Sequence, residues 1–330
     1  MTNKTPLVSV VLNVYNESED IENCLGRIRN QNYPQTQIEI ILVDDDSEDD
    51  TIERAKKFHV HVLRSGYKNR ERAKSIGIER ARGEFILFMD ADIFLIGKDW
   101  IKRAVGYLLE NPNVVAVQNI RWQYKKGDFL TNRYCNLFGI NDPFVLFLGK
   151  RGALMATEHD WPKGKSEVLK AKDYYLVKFD LENLPTMGAQ GFIARRKLIL
   201  MGAWKPYFFH LDIIYELVEK GFNQFVLTKL PVEHKYITSV REFYGKLIRN
   251  VTLFLELEKY RKYKYGVGSA NFFFAIILMM SFVYPFFQAL RGYLKKPDPA
   301  WFLHPLFCFT VPILYFSIFC KFRLSGFLKR

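Results

Sequence analysis

The sequence predicts an α/β fold, in which a mostly parallel sheet is covered by helices. Three observations point to it. Short apolar runs alternate with helix-like segments from residue 8 to residue 92, the runs have the length of strands, and two of them end on clusters of aspartate. Alternating strands and helices are typical of parallel sheets, whose ligands lie beyond the carboxyl ends of the strands. Both aspartate clusters are therefore expected to face one crevice.

The predicted elements follow one another in regular order. Strands are expected at 8–12, 38–43, 60–63, 85–89 and 225–229, and helices at 21–30, 51–58, 69–80 and 208–221. The strands are rich in Val, Ile, Leu and Phe, which favour the pleated conformation. The last helix is amphipathic, has an acidic residue near its start and stops at a glycine.

The fourth strand ends on Asp90 and Asp92, two carboxylates separated by one residue. The strand fixes their backbone, and carboxylates at its carboxyl end can supply hard oxygen ligands to Mg²⁺ or Mn²⁺ while nucleotide phosphates supply others. A solvated turn after a core strand would also explain these residues, because short Asp-x-Asp patterns are common. Context decides between the two interpretations.

Four segments supply that context, because in order and spacing they resemble the successive signatures of family 2 glycosyltransferases, which have the GT-A fold. The segments are 13–17, 41–47, 73–77 with 81–84, and 89–92. The resemblance is strongest from residue 6 to about residue 120 and weaker from 185 to 240. It implies a nucleoside diphosphate sugar as donor, a divalent cation, and transfer with inversion at the anomeric carbon.

The resemblance also assigns the nucleotide site residue by residue. Tyr15 and Glu17 would lie beside the base and ribose, and Asp44 or Asp45 would accept a hydrogen bond from the base. Lys74 stands where relatives often have Arg, so it would offer its charge as a point donor and not as a planar fork. A core Tyr15, a helix-capping Glu17 and an exposed acidic loop would explain these residues one by one, but not their joint order.

For the cation, the resemblance implies Asp92 as the direct ligand and Asp90 between the ribose and the metal. Some GT-A enzymes use a later histidine as a further ligand, and His234 is the candidate here. A lone histidine is more often structural.

The sugar and acceptor side would be lined by Gly188, Ala189 and Gln190, in a loop where glycine lets backbone approach a ligand closely. A plain turn before a strand has the same composition. In relatives a Glu-Asp pair opens the next helix and holds the catalytic carboxylate, whereas here His210 stands at the usual Asp position and Asp212 follows two residues on. We expect Asp212 to be the base, with His210 as the alternative. Asp212 could instead only interact with the helix amino end.

Two uncharged stretches near the carboxyl end, 266–290 and 299–320, are each long enough to cross roughly 30 Å of hydrocarbon. They predict a transmembrane hairpin over 266–330, with spans at about 268–290 and 300–320 and a basic tail. Segment 239–265 alternates apolar and basic residues, which is typical of interfacial helices. The catalytic domain is then 1–238. Basic flanks favour the cytoplasm for it, although Arg291, Lys295 and Lys296 in the connector weaken this bias. This plan resembles a reduced form of the cellulose-synthase architecture, but the Gln-x-x-Arg-Trp motif that such relatives carry on the interfacial helix is absent from this sequence.

The 330 residues carry a net charge of +13, which suits an anionic membrane surface and a phosphorylated lipid acceptor. Nucleic acid is the other usual partner of a basic chain, but no nucleic-acid module is recognisable. The four cysteines lack metal-site spacing, and cytoplasmic thiols are expected to be free.

Resemblance to dolichyl-phosphate hexose synthases and lipid-linked oligosaccharide mannosyltransferases narrows the expected reaction. It implies transfer of one hexose, mannose from GDP-mannose or glucose from UDP-glucose, to a polyprenyl or dolichyl lipid-linked acceptor at the cytoplasmic face. If the acceptor is itself a phosphate, no base is needed. The alternatives are a processive polysaccharide synthase of the cellulose or hyaluronan type, which two spans disfavour, and an inactive nucleotide-sugar-binding protein, which the intact Asp90 and Asp92 disfavour.

Overall fold

The computed structural model describes residues 5–162, 166–265 and 268–327. The chain divides into two units, Met1–Gln123 with Pro162–His234 and Tyr124–Trp161 with Lys235–Arg330. The expected division at residues 238 and 265 stays a prediction. The units differ from it because segment 124–161 groups with the carboxyl-terminal part of the chain.

The strands all belong to the first unit. They are β1 (Val8–Val14), β2 (Ile38–Asp44), β3 (His61–Arg64), β4 (Phe85–Asp90), β5 (Ile93–Leu95), β6 (Ala116–Asn119), β7 (Glu167–Lys170), β8 (Tyr174–Lys178), β9 (Phe192–Arg195), β10 (Gln224–Thr228) and β11 (Val232–His234).

The helices are divided between the units. They are α1 (Ile21–Arg29), α2 (Thr51–Lys56), α3 (Arg70–Arg80), α4 (Trp100–Glu110), α5 (Leu130–Phe138), α6 (Pro143–Phe147), α7 (Arg196–Ile199), α8 (His210–Glu219), α9 (Val240–Glu256), α10 (Ala270–Met280), α11 (Val283–Lys295) and α12 (Leu303–Phe327). Helices α5, α6 and α9 to α12 lie in the second unit.

Nine strands form one sheet in the order β3-β2-β1-β4-β9-β6-β10-β8-β7. Strands β1 to β4 pair in parallel, β6 pairs in parallel with β10, and β9 runs antiparallel to both β4 and β6. The six strands β1 to β4, β6 and β10 therefore run in one direction, which confirms the predicted mostly parallel α/β sheet. The register sets Asn13 beside Asp90 and Phe88 beside Phe192, so β1 and β4 end where β9 begins.

Helix α3 packs closely on this sheet because Gly77 has no side chain. A Cβ at Gly77 would lie 2.6 Å from Val11 Cγ1 and 3.1 Å from Val43 Cγ2. Glycine thus lets the helix backbone approach β1 and β2. The position of α3 over these strands determines which side chains of its first two turns lie near the carboxyl ends of the strands.

A buried carboxylate fastens the loop between α3 and β4. Glu39 on β2 accepts hydrogen bonds from Arg82 N (2.6 Å), Arg82 Nε (3.0 Å) and the Ser9 hydroxyl. Burial by itself would raise the pKa of Glu39, but these hydrogen bonds outweigh it and lower that pKa. The charged form of Glu39 therefore stabilises the fold.

The second unit has its own apolar core. Phe243 of α9 stacks on Phe307 of α12 with ring centroids 4.2 Å apart, and Phe138 of α5 meets Trp301 edge to face at 4.6 Å. Trp301 packs against Gly292 of α11, where a Cβ would lie 2.5 Å from the indole. Aromatic packing therefore holds α5, α9, α11 and α12 together.

The predicted two-span hairpin is not confirmed. Among the described residues, one helix is long and apolar enough to cross a membrane, at Pro299–Leu324 with a mean hydropathy of 1.8. The other predicted span, 268–290, is instead two helices, α10 and α11, bent by 71° at a break. Pro285 explains the break, because in a continuous helix its ring would clash with the carbonyl of Ser281. Residues 266–267 and 328–330, which the hairpin and its tail include, lie outside the described residues.

The predicted interfacial helix over 239–265 is shorter than expected. Helix α9 spans Val240–Glu256, and the Ser239 hydroxyl caps its start by accepting a hydrogen bond from Glu242 N (3.1 Å). A separate 3₁₀ turn follows at Glu258–Tyr260, so the helix does not reach residue 265. Its location at a membrane interface stays a prediction.

Candidate active site

A cleft opens at the edge of the sheet where β1 and β4 end. Helix α3, the loop before β9 and the first turn of α8 close its sides. The residues that line it are Val11, Asn13, Lys74, Phe88, Met89, Asp90, Ala189, Gln190 and His210. Five residues predicted from the sequence, Lys74, Asp90, Ala189, Gln190 and His210, thus share one cleft.

Two cations of α3 flank Asp90, the last residue of β4. Arg70 Nη2 lies 3.5 Å from Asp90 Oδ2, and the buried Lys74 is one turn further along α3. The Asn69 side chain caps the helix by accepting hydrogen bonds from two backbone N–H groups, each at 3.1 Å, which fixes where α3 begins. Burial by itself would raise the pKa of Asp90, but Lys74 and Arg70 outweigh it and hold that pKa well below its usual range.

Arg70 was not predicted as a site residue. It precedes Lys74 by four positions, a spacing that places two side chains on one face of a helix. That spacing is visible in the sequence and could have identified it. Both cations also pair with Glu71, whose Oε1 lies 3.7 Å from Arg70 Nε and 3.6 Å from Lys74 Nζ. Two cations and two carboxylates therefore meet at this side of the cleft.

Asp92 and His234 approach each other beside the cleft. Asp92 lies in the turn between β4 and β5, and β5 pairs with β11 so that Ile93 is opposite His234. Asp92 Oδ2 is 3.7 Å from His234 Nε2, and the buried imidazole packs edge to face on Trp122. The pairing of two short strands thus brings together residues that are far apart in the sequence.

The geometry of Asp92 and His234 fits a shared cation. Their 3.7 Å separation is long for a hydrogen bond. Two ligands that are each about 2.1 Å from an ion can lie up to ~4.2 Å apart. No group of three or more His, Cys, Asp or Glu side chains in the described ranges could hold a metal ion alone. Mg²⁺ commonly takes one or two protein carboxylates and completes its shell with water and phosphate.

The loop before β9 contains a backbone conformation that residues with a side chain rarely adopt. Gly188 has φ +105°, and a Cβ there would lie 2.6 Å from His210 Cβ. The Gln118 side chain clamps the loop: Gly188 N donates to Gln118 Oε1 (2.9 Å), and Gln118 Nε2 donates to the Ala189 carbonyl (3.1 Å). Gln118 on β6 was not predicted, and its short strand has no motif that would have identified it.

His210, and not Asp212, lies in the cleft wall. The imidazole of His210 packs edge-on against Phe88 (5.3 Å) and Phe208 (4.8 Å), and its Nδ1 has no hydrogen-bond partner among the described residues. Burial and the charge of Lys74 hold the pKa of His210 well below its usual value, so the ring is neutral at pH 7. Asp212 is buried, 4% exposed, and is not among the lining residues.

Asp44 is the last residue of β2, Asp45 follows it, and both are buried. Asp44 Oδ1 accepts a hydrogen bond from Ser47 N (3.0 Å), and Asp45 Oδ1 accepts one from the Ser65 hydroxyl. One oxygen of each carboxylate therefore stabilises the chain around it. Neither residue is part of the cleft wall, and their predicted contact with a base stays a prediction.

Tyr15 and Glu17 lie on the loop after β1. Tyr15 is 48% exposed, so the alternative that it belongs to the core is wrong. The loop is fixed by hydrogen bonds from Asn16 N to Ser47 Oγ (3.0 Å) and from Glu17 N to Thr51 Oγ1 (2.7 Å). The loops after β1 and β2 are thus joined at the same edge of the sheet.

Comparison with known proteins identifies relatives of this chain. A family model described as glycosyl transferase family 2 matches residues 9–196. Glycosyltransferase GlyG of Streptococcus pneumoniae is 39% identical over 183 residues, which cover 54% of this chain and 58% of that protein. Glycosyltransferase AglE of Haloferax volcanii is 30% identical over 140 residues, or 41% of this chain and 46% of that protein.

A third relative matches over a smaller share of its own length. Poly(ribitol-phosphate) beta-N-acetylglucosaminyltransferase TarS of Staphylococcus aureus is 29% identical over 125 residues, or 36% of this chain and 22% of that protein. The chain thus spans less than two thirds of the length of each of these curated relatives.

A solved structure shares the fold. It is the mannosyltransferase PcManGT from Pyrobaculum calidifontis in complex with GDP-Man and Mn²⁺, with a TM-score of 0.54 and 14% sequence identity. The similarity covers 96% of this chain and 87% of that one. At this identity the likeness establishes the fold alone.

Proposed function

The chain belongs to glycosyl transferase family 2, and on that premise we propose that it is an inverting, metal-dependent enzyme that transfers a hexose from a nucleoside diphosphate sugar to a lipid-linked acceptor at the cytoplasmic membrane face. The observation that carries the proposal is the cleft, where a buried lysine, an ionised aspartate and a neutral histidine meet beyond the ends of β1 and β4. The shared GT-A fold agrees with it.

The donor diphosphate is proposed to bind beside Arg70 and Lys74. Their charges favour an anion, and both are close enough to Asp90 to lower its pKa. Tyr15, on the exposed loop after β1, would contact the base. GDP-mannose is the first donor to test because PcManGT was solved with GDP-Man, and UDP-glucose is the second.

The proposed cation is Mn²⁺ or Mg²⁺, held by Asp92 and His234 with Asp90 towards the ribose. Bound there, it would supply positive charge to the departing diphosphate. The contribution of the chain is to hold Asp92 Oδ2 and His234 Nε2 at 3.7 Å by pairing β5 with β11.

His210 is the proposed proton acceptor, in place of the expected Asp212. Its ring lines the cleft and is neutral, so it can accept a proton from an attacking hydroxyl. Asp212 is the alternative and would have to act from a buried position outside the cleft wall. With a lipid phosphate as acceptor, neither residue is required.

A lipid-linked acceptor is supported by the second unit. Pro299–Leu324 is apolar enough for a membrane span, and large apolar side chains of α10 and α11 are exposed. The excess of basic residues suits an anionic membrane surface.

The test is transfer by the purified protein in detergent. GDP-mannose, UDP-glucose and UDP-N-acetylglucosamine are each supplied with Mn²⁺ and with polyprenyl phosphate, a polyprenyl-linked saccharide or poly(ribitol phosphate), the last because of the name of TarS. We expect one hexose on a polyprenyl acceptor, with inverted anomeric configuration by NMR. A long polymer would indicate a processive synthase, and neither transfer nor hydrolysis with any donor would indicate an inactive binding protein.

A further inference from the structure

The polar connector between α11 and α12 is tied to the segment that follows the sheet. Asp298 is buried, its Oδ2 lies 3.1 Å from Arg133 Nε, and it accepts a hydrogen bond from the Tyr124 hydroxyl. The Lys296 ammonium lies over the Tyr124 ring, 4.2 Å from its centroid. These contacts need all four side chains on one side of a bilayer, because charged groups are costly in hydrocarbon.

The chain does not cross a membrane between Gln123 and the contacts that segment 124–133 makes. Tyr124 directly follows Gln123, whose backbone N donates to the Val232 carbonyl (2.8 Å) in the first unit. The chain between Tyr124 and Leu130 is not helical, and such backbone does not cross hydrocarbon. The connector at Asp298 is therefore on the same side as Gln123.

The chain that enters α10 is on that side too. Tyr236, two residues after β11, donates its backbone N to Asn132 Oδ1 (3.1 Å). Apart from Pro299–Leu324 and the bent pair α10–α11, no helix among the described residues is long and apolar enough to cross a bilayer. Basic residues precede α10, and they also favour one side. They are Lys259, Arg261, Lys262 and Lys264.

From these contacts we infer that α10 and α11 form a re-entrant wedge, which enters one leaflet of the bilayer and returns to the catalytic side without crossing. This inference rests on the membrane attachment proposed above. The exposed side chains of the wedge would contact the hydrocarbon of that leaflet. No charged side chain occurs from residue 266 to residue 290, and basic residues lie at both ends of this stretch.

The dimensions of the pair fit one leaflet. Helices of 11 and 13 residues are about 16 and 20 Å long at ~1.5 Å per residue. If the two helices are inclined equally to the membrane plane, the 71° bend between them gives each helix a slope of about 35°. The bend then lies about 10 Å deeper in the bilayer than the outer ends of the two helices. One leaflet offers ~15 Å of hydrocarbon. Phe282 and Val283, at the bend, are 51% and 60% exposed and would be the deepest residues.

The topology can be tested by cysteine labelling of the full chain. Of its cysteines, Cys24, Cys135 and Cys308 are buried, so Cys320→Ser gives a quiet background. Single cysteines are then introduced at Asn271, Phe282 or Lys295. A cysteine at the exposed Lys197 of the first unit is the control for the catalytic side. Each variant is exposed to a membrane-impermeant maleimide in inside-out and right-side-out vesicles from the expressing cells.

The wedge predicts that Asn271→Cys and Lys295→Cys react in the same vesicles as Lys197→Cys, whereas Phe282→Cys reacts in neither preparation. Labelling of Lys295→Cys only in the opposite vesicles would show that the pair crosses the bilayer. Labelling of Phe282→Cys as fast as its neighbours would show that the bend is not embedded. A chain released from membranes by alkaline carbonate would overturn the attachment itself, whatever its transfer activity.

Discussion

Replacing His210 by glutamine tests the assignment of the proton acceptor. Glutamine is neutral and polar like the half-buried imidazole of His210, but it cannot take a proton at pH 7. Because His210 lines the cleft and Asp212 does not, the His210→Gln enzyme should lose turnover while Asp212→Asn keeps most of it.

The size of the effect follows from two separable contributions. Loss of a positioned base lowers kcat by about 10²–10⁴-fold, or about 2.7–5.5 kcal/mol in the barrier. Loss of the ring contacts with Phe88 and Phe208, at 5.3 and 4.8 Å, should lower the stability of the fold by about 1–3 kcal/mol. A fold with normal stability can lose that much and stay folded.

The pH profile gives an independent readout. The pKa of His210 is below its usual 6.5, chiefly because of burial and then because of the Lys74 charge. The neutral base is therefore present at pH 7 and is lost as the pH falls through that lowered pKa, so the acid limb of kcat/KM should lie below pH 6.5. Lys74→Met removes a positive charge and should move this limb to higher pH.

The assay is single-turnover transfer of labelled hexose to a hydroxyl acceptor, with thermal unfolding of each variant as the control for folding. Full turnover by a folded His210→Gln enzyme, together with a large loss in Asp212→Asn, would refute the assignment and restore Asp212 as the base. Full turnover in both would indicate an acceptor that needs no base.

Three further predictions concern stability and the cation. Glu39→Gln should lower the free energy of unfolding by about 1–3 kcal/mol at pH 7, measured by urea titration. Because the pKa of Glu39 in the folded protein is lowered from 4.5, the wild type should lose this advantage as the pH falls below about 4.5, which urea titrations at several pH values would show. Gly77→Ala should cost about 1–3 kcal/mol because its Cβ would meet a valine methyl at 2.6 Å, whereas the control Gly106→Ala, in α4 with nothing within 4 Å, should stabilise the chain; equal midpoints would contradict this packing. Asp92→Asn and His234→Gln should each weaken Mn²⁺ binding, measured by EPR with nucleoside diphosphate present, by at least about 10-fold, because loss of even an outer-shell partner costs about 10–100-fold. Unchanged binding in both would place the cation elsewhere.

The central strands could be predicted from the sequence because burial on both faces leaves a strong pattern. Strands β1, β2 and β4 are almost wholly buried and were expected within about two residues of their bounds. Strand β8 was not expected although residues 174–177 are an apolar run, and neither was the edge strand β7, which is exposed except at the half-buried Val168. An edge strand of this kind is specified by its pairing with a neighbour, and that pairing leaves no apolar run in the sequence.

One backbone feature leaves the predicted span at 268–290 unconfirmed, the break between α10 and α11. Hydropathy over 268–290 records that the side chains are apolar, and it is the same for a straight and a broken helix. The backbone leaves the helical region at Phe282, with φ +59° and three residues before Pro285, yet Pro312 lies inside the continuous α12. Whether a proline bends or breaks a helix depends on the packing around it, which one sequence does not contain.

Within the site, the order of the motifs in the sequence identified the residues at the ends of strands. The other site residues are brought into place by contacts between segments that are far apart in the sequence. Asp90 and Lys74 belong to motifs and meet in the cleft as expected. Gln118 acts through a loop that is 70 residues away in the chain, so no local pattern connects them. Which of His210 and Asp212 lines the cleft depends on the rotation of α8 about its axis, and the absence of a side chain at Gly188 lets the loop approach His210 closely.

Under the proposed function, donor binding would also change the strength of the base. Lys74 and Arg70 are the charges that lower the pKa of His210, after burial, and Asp90 is the charge that opposes them. A diphosphate bound to the two cations would offset their charge, so the pKa of His210 would rise towards the operating pH when the donor is in place. Without donor, the same cations keep the imidazole a weak base. The cleft would thus couple its ability to accept a proton to the presence of the leaving group, and donor analogues that lack the diphosphate should leave the acid limb unshifted.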